Sequence, residues 1–564
     1  MTSKCLQTQQ SHQQQSTSVL LDGDDPIVSH ARDKDEQIIM SLGYKQEFKR
    51  EFSLWTTFCV SFSVLGLLPS FASTLWYGYV LAEKHIFKGM GYAGTAGMVW
   101  GWIIAMIFIQ CVAMGMAELC SSMPTSGGLY YAAAVLAPGG QGPFAAWITG
   151  WSSWMGQVMG APSVNYGTAG MILAAGSIYN PSFVPQPYQT FLLTTGIMLI
   201  HGVISSMPTK WIAEVNSYGS LFNLLSLIVV IIAIPAGTTN SPRFNSSADV
   251  WGTIYKGTSF PDGVAVLMSF VSVIWTMSGY DSPFHLSEEC SNANIASPRA
   301  IVLTSAVGGL MGWLLQVVVA YTVKDIDVVL HSELGQPWAS FLFQVMSRRM
   351  AVAILALTII CGFSMGQACM IAASRVTYAY ARDDCLPLSR IWKKVDRHTM
   401  TPVNAVWLNC VIGILSTLLI FAGDLAMGAL FSIGGIASFA AFMIPIAIRV
   451  FFVKDRFRPG PWNLGRYSRV IGGAGVAFVV LMIPILCLPT HTGSRLTLRH
   501  MNWTCVVYGG PMLGVLLWWI LDARKWFKGP KVKVKHRMLD HVQIGVEWAD
   551  SKEERVPQEL ESVF

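Results

Sequence analysis

The chain has 564 residues, of which 52% are hydrophobic and only 12% are charged, and its formal net charge is +6. Soluble chains are typically about 25% charged, so these few charged side chains cannot cover a folded soluble protein of this length. The mean hydropathy of +0.47 likewise shows that apolar residues predominate. Composition therefore excludes a soluble globular protein and predicts a membrane protein.

Apolar stretches long enough to cross a bilayer recur along the chain. A transmembrane helix needs roughly 20 predominantly apolar residues. We predict about twelve such helices, called spans 1 to 12 below, near 56–80, 94–119, 144–176, 189–207, 211–236, 263–287, 300–323, 350–378, 403–422, 426–450, 470–489 and 503–521. The predicted fold class is an all-α membrane protein with no sizeable soluble domain.

Lysine and arginine cluster in four segments, which lie before span 1 and after spans 8, 10 and 12. Because basic loops stay in the cytoplasm, this pattern predicts an even number of spans with both termini cytoplasmic. The net positive charge is then a topology signal, and we predict no nucleic-acid partner. The tripeptides beginning at Asn245 and Asn502 fall in external loops, where they are candidate glycosylation sites.

Leader peptides and metal sites are not indicated by the sequence. The first fifty residues contain a polar stretch, QQSHQQQSTS, and an acidic stretch, without the apolar core of a cleaved signal peptide. The 11 Cys residues are scattered, mostly within spans, without metal-ligand spacing. We predict no metal and no cofactor.

Span 6 contains an interruption in the stretch VIWTMSGYDSPFHLSEE, from Val273 to Glu289. Ser, Gly, Asp, Ser and Pro occur within six residues. Such helix-breaking residues leave backbone N–H and C=O groups without hydrogen-bond partners. In hydrocarbon this costs several kcal/mol for each group unless protein, water or a ligand satisfies it. The break is therefore a candidate binding site, and the alternative is a proline kink that serves packing alone.

Span 1 has a similar interruption. It reads SFSVLGLLPSFASTLWYG, with Gly66 and Pro69 near its middle. The two interrupted spans are five apart, as in transporters built from two inverted repeats whose broken helices hold substrate and ion near the bilayer midplane. We therefore predict a binding site where the two breaks meet.

Five stretches, in this order and spacing, resemble the amino acid, polyamine and organocation (APC) transporter superfamily, and within it the fungal amino acid/choline group that includes GABA permeases. They are SVLGLLPSFASTLWYG in span 1, AELCSSMPTSGGLYYAAAVLAP (Ala117–Pro138), the span 6 stretch continuing through EECSNANIASPRAI, ASRVTYAYARDDCLP (Ala373–Pro387) followed by TPVNA, and FRPGPWNLG (Phe457–Gly465). The resemblance covers most of the chain.

The resemblance implies two inverted five-helix repeats, with broken helices 1 and 6, plus two extra helices, working by alternating access. It places a twelve-helix transporter domain at 51–522, between a disordered cytoplasmic tail at 1–50 and a cytoplasmic tail at 523–564. In relatives, backbone N–H groups at the span 1 break hold a substrate carboxylate, and span 6 faces the amine. The matching positions are Gly66, Leu67, Leu68, Trp275, Ser278, Gly279 and Asp281.

One departure from the superfamily concerns the span 1 break. Relatives commonly have a Gly-Ser-Gly type triplet, whereas this chain reads Gly66-Leu67-Leu68-Pro69. Pro69 has no N–H, and the leucines narrow the space. This local sequence indicates a substrate whose charges are placed differently from those of an α-amino acid.

Asp281 is the residue on which a mechanism would depend. An ionisable side chain inside a span is costly and by default marks a pathway, a relay or a partner. We predict that it pairs with a substrate ammonium or carries a coupled proton, and the alternative is a helix cap for the residues that follow. Trp275 and Tyr280 flank the break, where their rings can make cation–π contacts.

Further polar residues allow two interpretations each. His201 and His285 are proton relays or hydrogen-bonded packing residues. Glu118, Glu288 and Glu289, at predicted cytoplasmic ends, are solvated or belong to a gate, for which Arg375 and Arg382 are candidate partners. Some proton-coupled relatives use a span 5 lysine in place of bound sodium. Span 5 has no lysine in its interior, so the coupling ion stays open.

The function predicted is secondary active transport rather than catalysis. No Walker loop is present, and no charge rings indicate a channel. We predict proton-coupled uptake of GABA or a related amino acid at the plasma membrane, with the vacuolar membrane as the alternative site and no obligate protein partner. The alternative functions are a choline or polyamine permease, or a carrier or exporter of a specialised nitrogenous metabolite.

Overall fold

The computed structural model describes residues 35–76, 90–180, 182–254, 258–330, 334–453, 457–489, 492–493, 496 and 501–530. Within these ranges the secondary structure is helical, and β-structure is confined to two isolated bridges. Ten helices are long and apolar enough to cross a membrane. The predicted fold class, an all-α protein with many spans, is confirmed.

Ten of the predicted spans are the long apolar helices. In chain order they are spans 1 (Leu54–Thr74), 2 (Ala93–Ser122), 4 (Pro187–Ser205), 5 (Thr209–Gly237), 7 (Ala293–Thr322), 8 (Arg348–Arg382), 9 (Val403–Ala422), 10 (Ala426–Val453), 11 (Gly465–Leu486) and 12 (Thr504–Trp526).

The other two spans consist of shorter consecutive helices. Span 3 comprises Gly142–Val158 and Gly160–Tyr179, and span 6 comprises Asp262–Thr276 and the single turn Ser282–His285. Short helices outside the spans are Gly128–Leu136, Ser247–Gly252, Ile326–Leu330, Pro337–Val345 and Ser389–Trp392.

Span 2 lies at the centre of one packing group, in contact with spans 6, 7 and 11, while span 3 contacts spans 8 and 10. Small residues bring spans 2 and 7 close together. Trp102 of span 2 donates its indole N–H to the carbonyl of Gly309 at 2.8 Å, and a Cβ at Gly312 would collide with the Trp102 ring. Such close approach through small residues is how helices associate in a bilayer, where packing rather than the hydrophobic effect drives contact.

The break in span 1 is made by Gly66. The helix Leu54–Leu65 ends there in the left-handed region, with φ 45° and ψ 57°, and the helix Leu67–Trp76 begins directly afterwards. Glycine adopts this conformation without steric cost. It also leaves room for Met365 of span 8, whose side chain a Cβ at position 66 would meet.

Residues 35–52, which we call the N-terminal segment, pack against one end of the bundle. Tyr44 and Phe48 are buried, and Phe52 pairs with the loop after span 6, through hydrogen bonds from its N–H to Glu289 O and to its carbonyl from Ser291 N–H. The packed body of the protein therefore begins before residue 51, and the earlier part of the predicted tail, 1–34, lies outside the described residues.

Candidate functional site

The two interruptions lie against each other. Gly279 has a φ of 115°, its carbonyl accepts a hydrogen bond from Ser61 Oγ at 3.3 Å, and a Cβ there would collide with Val64 just before the span 1 break. Only glycine adopts such a φ readily. Local backbone freedom at one residue of span 6 thus lets the two broken helices meet inside the bundle.

Asp281 lies at this junction with 1% of its surface exposed. Its Oδ2 accepts a 2.6 Å hydrogen bond from Gln157 Nε2 and is 3.4 Å from His285 Nε2. Its Oδ1 has no hydrogen-bond partner among the described residues. Although Asp281 precedes the Ser282–His285 turn, its side chain makes no capping hydrogen bond, so the alternative cap interpretation is wrong.

Gln157 is a site residue that the sequence analysis missed. It lies at the end of the first helix of span 3, which is interrupted at Met159 before continuing from Gly160, and its side chain is half-buried. The signal available was an amide within a membrane span, followed by Gly160 and Pro162. Span 3 thus contributes a third interruption next to those of spans 1 and 6.

The two aromatic residues that flank the span 6 break face different partners. Trp275 is half-buried and its ring centroid is 5.8 Å from that of Phe431 of span 10. Tyr280 is fully buried, 5.5 Å from the Phe442 ring further along span 10, and its hydroxyl has no hydrogen-bond partner within the described ranges. Of the two rings, only that of Trp275 is therefore partly exposed.

The remaining predicted residues contribute backbone rather than free side chains. Ser278 Oγ donates at 2.9 Å to Ile274 O, in the last turn of the helix Asp262–Thr276. Leu67 and Leu68 are each 2% exposed and belong to the main hydrophobic core. Because the first N–H groups of a helix have no intrahelical acceptor, the start of the Leu67–Trp76 helix offers donors, and Pro69 provides none.

Beyond Asp281 the chain forms two buried ion pairs, which we call the gate pairs. Arg375 binds Glu289 through two nitrogens, at 2.7 and 3.1 Å, and Arg382 binds Glu288 at 2.9 and 3.0 Å. Thr125 Oγ1 also donates to Glu288 at 2.9 Å. The predicted arginine partners of these glutamates are confirmed.

Electrostatic interactions keep Glu288 charged. Burial alone would raise the pKa of Glu288, but the charge of Arg382, together with hydrogen bonds from Arg382 and Ser126, lowers that pKa to about 2. The Glu288 carboxylate therefore stays ionised at physiological pH. Tyr44 of the N-terminal segment covers the pair, with the Arg382 guanidinium 3.8 Å from its ring centroid.

Glu118 forms a separate contact at the end of span 2. Its carboxylate accepts a hydrogen bond from Ser468 Oγ and is 3.8 Å from Arg449 Nε. It therefore joins spans 2, 10 and 11 and is not part of the gate pairs.

His201, named in the sequence analysis, and the span 5 residues Asn223 and Lys210 are not among the partners of Asp281. His201 packs within the scaffold, where its Nδ1 is 3.1 Å from Asn165 Nδ2 and its ring is against Phe363. On span 5, Asn223 Nδ2 is 3.5 Å from Ser63 Oγ of span 1, while Lys210 is exposed. The coupling ion is thus not identified by a span 5 lysine.

Both candidate glycosylation asparagines already use their amides. Asn245 Nδ2 donates to Ala320 O at 3.0 Å, and Asn502 Nδ2 donates to Leu486 O at 2.8 Å. Glycosylation at either position stays a prediction, and it would have to replace these contacts.

Comparison with known proteins agrees with this arrangement. The profile of the amino acid permease family matches residues 52–511. The chain is 58% identical over 503 residues to an uncharacterized amino-acid permease of Schizosaccharomyces pombe, covering 89% of this chain and 90% of that protein. It is 46% identical to a Candida albicans protein provisionally named a polyamine transporter, covering 90% and 91% of the two chains. It is 32% identical to the GABA-specific permease of Saccharomyces cerevisiae, covering 88% and 86%.

Three observations agree. The family profile matches most of the chain, many helices are long enough to span a membrane, and the interrupted spans meet around a buried carboxylate. The chain belongs to the amino acid permease family of the APC superfamily, and it is a membrane transporter of small amino compounds rather than an enzyme.

Proposed function

We propose that this permease is a proton-coupled secondary transporter of a small compound that carries an ammonium group, with Asp281 at the centre of its site. The observation that carries the proposal is Asp281 Oδ1, a buried carboxylate oxygen without a hydrogen-bond partner among the described residues. Burying an ionised group costs several kcal/mol unless it is paired. A substrate ammonium or a proton would supply what Asp281 lacks.

GABA or a related amino acid is the first substrate that we propose. Its ammonium group would bind Asp281 Oδ1, and its carboxylate would face the N–H groups at the start of the Leu67–Trp76 helix, where the helix dipole favours an anion. The half-buried Trp275 ring lies just before the break and would cover the ammonium group by cation–π contact.

A polyamine is the second candidate, because the span 1 break offers a carboxylate backbone donors but no basic side chain. Residues 65–70 include no basic side chain, Leu67 and Leu68 are buried there, and Pro69 offers no N–H. A compound with several ammonium groups and no carboxylate fits this asymmetry. The provisional name of the Candida albicans relative points to the same class.

We also propose that both termini are cytoplasmic and that the protein works in the plasma membrane. The basic segments before span 1 and after spans 8, 10 and 12 support this orientation. The gate pairs and the N-terminal segment would then close the cytoplasmic side, so the structure would correspond to a state in which substrate cannot leave inward.

Uptake of labelled GABA and labelled putrescine into permease-deficient cells tests the proposal, with and without a protonophore. We expect saturable, protonophore-sensitive uptake of at least one probe by the wild-type protein. The Asp281→Asn variant, which keeps the shape but not the charge, should lose it. Retained exchange without accumulation would identify Asp281 as the proton carrier, and loss of exchange as well would identify it as the amine partner.

Absence of uptake of both probes by a surface-expressed wild-type protein would reject both proposed substrates. Uptake that ignores the protonophore would reject proton coupling. Full activity of Asp281→Asn would show that the carboxylate serves neither role.

A further inference from the structure

His285 follows Asp281 by one helical turn and is equally buried, with 1% of its surface exposed. Its Nδ1 is 3.3 Å from the backbone carbonyl of Ser126, in the loop before the helix Gly128–Leu136. Its ring also lies on Gly128, where an added Cβ would come within 3.0 Å of it. The imidazole is therefore held in place from the side opposite Asp281.

The Ser126 carbonyl determines which ring nitrogen carries hydrogen. A carbonyl oxygen can only accept a hydrogen bond, so Nδ1 must be the protonated nitrogen, and in the neutral ring Nε2 then has a lone pair. The Nε2 atom is 3.4 Å from Asp281 Oδ2, although the two atoms make no hydrogen bond in this arrangement. Two acceptors at that separation repel each other unless one of them holds a proton.

We propose that Asp281 and His285 share the single coupled proton of the transport cycle, so that the two oxygens of Asp281 have separate tasks. Oδ1, which has no partner among the described residues, receives the substrate ammonium. Oδ2, which accepts from Gln157, exchanges the proton with His285. This inference rests on the proposed function, since it assigns the proton of that proposal to a pair of residues.

The step balances without any further reactant. Before substrate binds, the proton is on Oδ2 and the imidazole is neutral. When an ammonium group binds Oδ1, the carboxylate becomes the favoured form, the O–H bond of Asp281 breaks, and the proton bonds to the Nε2 lone pair to give an imidazolium ion. The site then holds one carboxylate between two cations, the substrate and His285.

The charged groups around His285 leave this role open to it. The Ser282–His285 turn packs against the first helix of span 1, the helix Gly128–Leu136, the Ser287–Glu289 turn, span 7 and span 8. The buried charged residues on these elements are Glu288, Glu289, Arg375 and Arg382, and they form the two gate pairs.

The other charged residues on these elements are Arg299, Arg348 and Arg349, which are exposed. The remaining buried titratable groups there are thiols and phenols, which are ordinarily neutral at physiological pH, namely Cys59, Tyr130, Tyr131, Cys361, Cys369, Tyr378 and Tyr380. Because the buried arginines Arg375 and Arg382 are paired with the glutamates, His285 is the buried group that can carry a positive charge next to Asp281.

Ser126 links this pair to the gate. While its carbonyl faces His285, its N–H and Oγ donate to Glu288 Oε1 at 2.9 and 2.8 Å. One residue therefore contacts both the proton-holding imidazole and the Glu288–Arg382 pair. Opening of that pair would move Ser126 and expose His285, which gives the proton an exit on the gate side.

The test uses purified wild-type protein and variants reconstituted into liposomes, with labelled GABA and labelled putrescine as probes. His285→Gln should retain exchange of the probe across the membrane, because exchange returns the site to the same protonation state. It should lose accumulation driven by an imposed pH gradient. The matched control is His201→Gln, another fully buried membrane histidine, which contacts Asn165 rather than a carboxylate and should retain both.

If His285→Gln accumulates the probe in response to a pH gradient as well as the wild-type protein does, the inference is overturned and the proposed function is left standing. Loss of exchange in both His285→Gln and His285→Asn would overturn it as well, because a residue that only handles the proton is dispensable for exchange. Wild-type protein that exchanges a probe but ignores the pH gradient would instead reject the proton coupling of the proposed function.

Discussion

Three carboxylates within nine residues, Asp281, Glu288 and Glu289, are equally buried at 1% exposed, yet their surroundings differ. Each glutamate binds an arginine of span 8 through two nitrogen atoms. Asp281 contacts an amide and an imidazole through one oxygen, while its other oxygen has no partner within the described residues. Burial is therefore the same, and pairing is what distinguishes the gate from the break.

The difference has a physical meaning. Several kcal/mol are needed to desolvate an ion, and close opposite charges with good hydrogen bonds can offset that cost. The glutamates meet this condition through Arg375 and Arg382. Asp281 has no arginine or lysine partner among the described residues, and under the proposed function a substrate cation or a proton would supply the missing charge.

Arg375→Ala should produce the largest loss of stability. It would leave Glu289 buried without its partner, which typically costs about 3–5 kcal/mol. The matched control is Lys393→Ala, since Lys393 and Asp384 form an ion pair of the same 2.7 Å separation but with both side chains well exposed. That substitution should cost about 1 kcal/mol or less.

Thermal unfolding of the detergent-purified variants measures both effects. Equal shifts for Arg375→Ala and Lys393→Ala would contradict the view that burial gives the gate pairs their strength.

Gly279→Ala should have the next largest effect, because it alters the junction of the two breaks. The φ of 115° is unfavourable for alanine, at a cost of about 1–3 kcal/mol, and the added Cβ would collide with Val64. We expect reduced stability and loss of substrate uptake. Gly514→Ala on span 12, where an added Cβ meets nothing within 4 Å, should be near neutral in unfolding and uptake assays. Normal uptake by Gly279→Ala would show that the breaks need not touch.

Ser278→Ala should have the smallest effect. Its hydroxyl already donates to Ile274 O four residues earlier, a local bond that contributes about 1 kcal/mol or less. We expect uptake kinetics close to wild type, in contrast to Asp281→Asn three residues later. A marked rise in KM for the transported probe would mean that the hydroxyl leaves Ile274 to bind substrate.

Much of the arrangement could be predicted from the sequence. Long apolar stretches predicted the spans, since a bilayer requires helices of a minimum length. Helix-breaking residues predicted the interruptions at Gly66 and in span 6, because glycine and proline act on the local backbone. Arg375 and Arg382 could also be predicted as partners of the glutamates, but Glu118, which the sequence grouped with them, pairs with Arg449 instead.

Other features depended on contacts between distant segments. The approach of Gln157 to Asp281 spans 124 positions of the chain, and no local pattern in span 3 states which residue its amide will meet. The distinction between His285 and His201 likewise needed the fold, because both are isolated histidines in apolar spans. The cap interpretation of Asp281 failed for the same reason, since a tertiary donor replaced the local one.

The sequence by itself determined that this chain spans a membrane many times, that two of its helices are broken, and that a carboxylate occurs at one break. These properties follow from hydropathy and from backbone preferences, which act over a few residues. Only the tertiary structure decided which oxygen of Asp281 is paired and which is open, and which histidine faces it. Pairing depends on distances between side chains from different helices, and these distances exist only once the helices have packed.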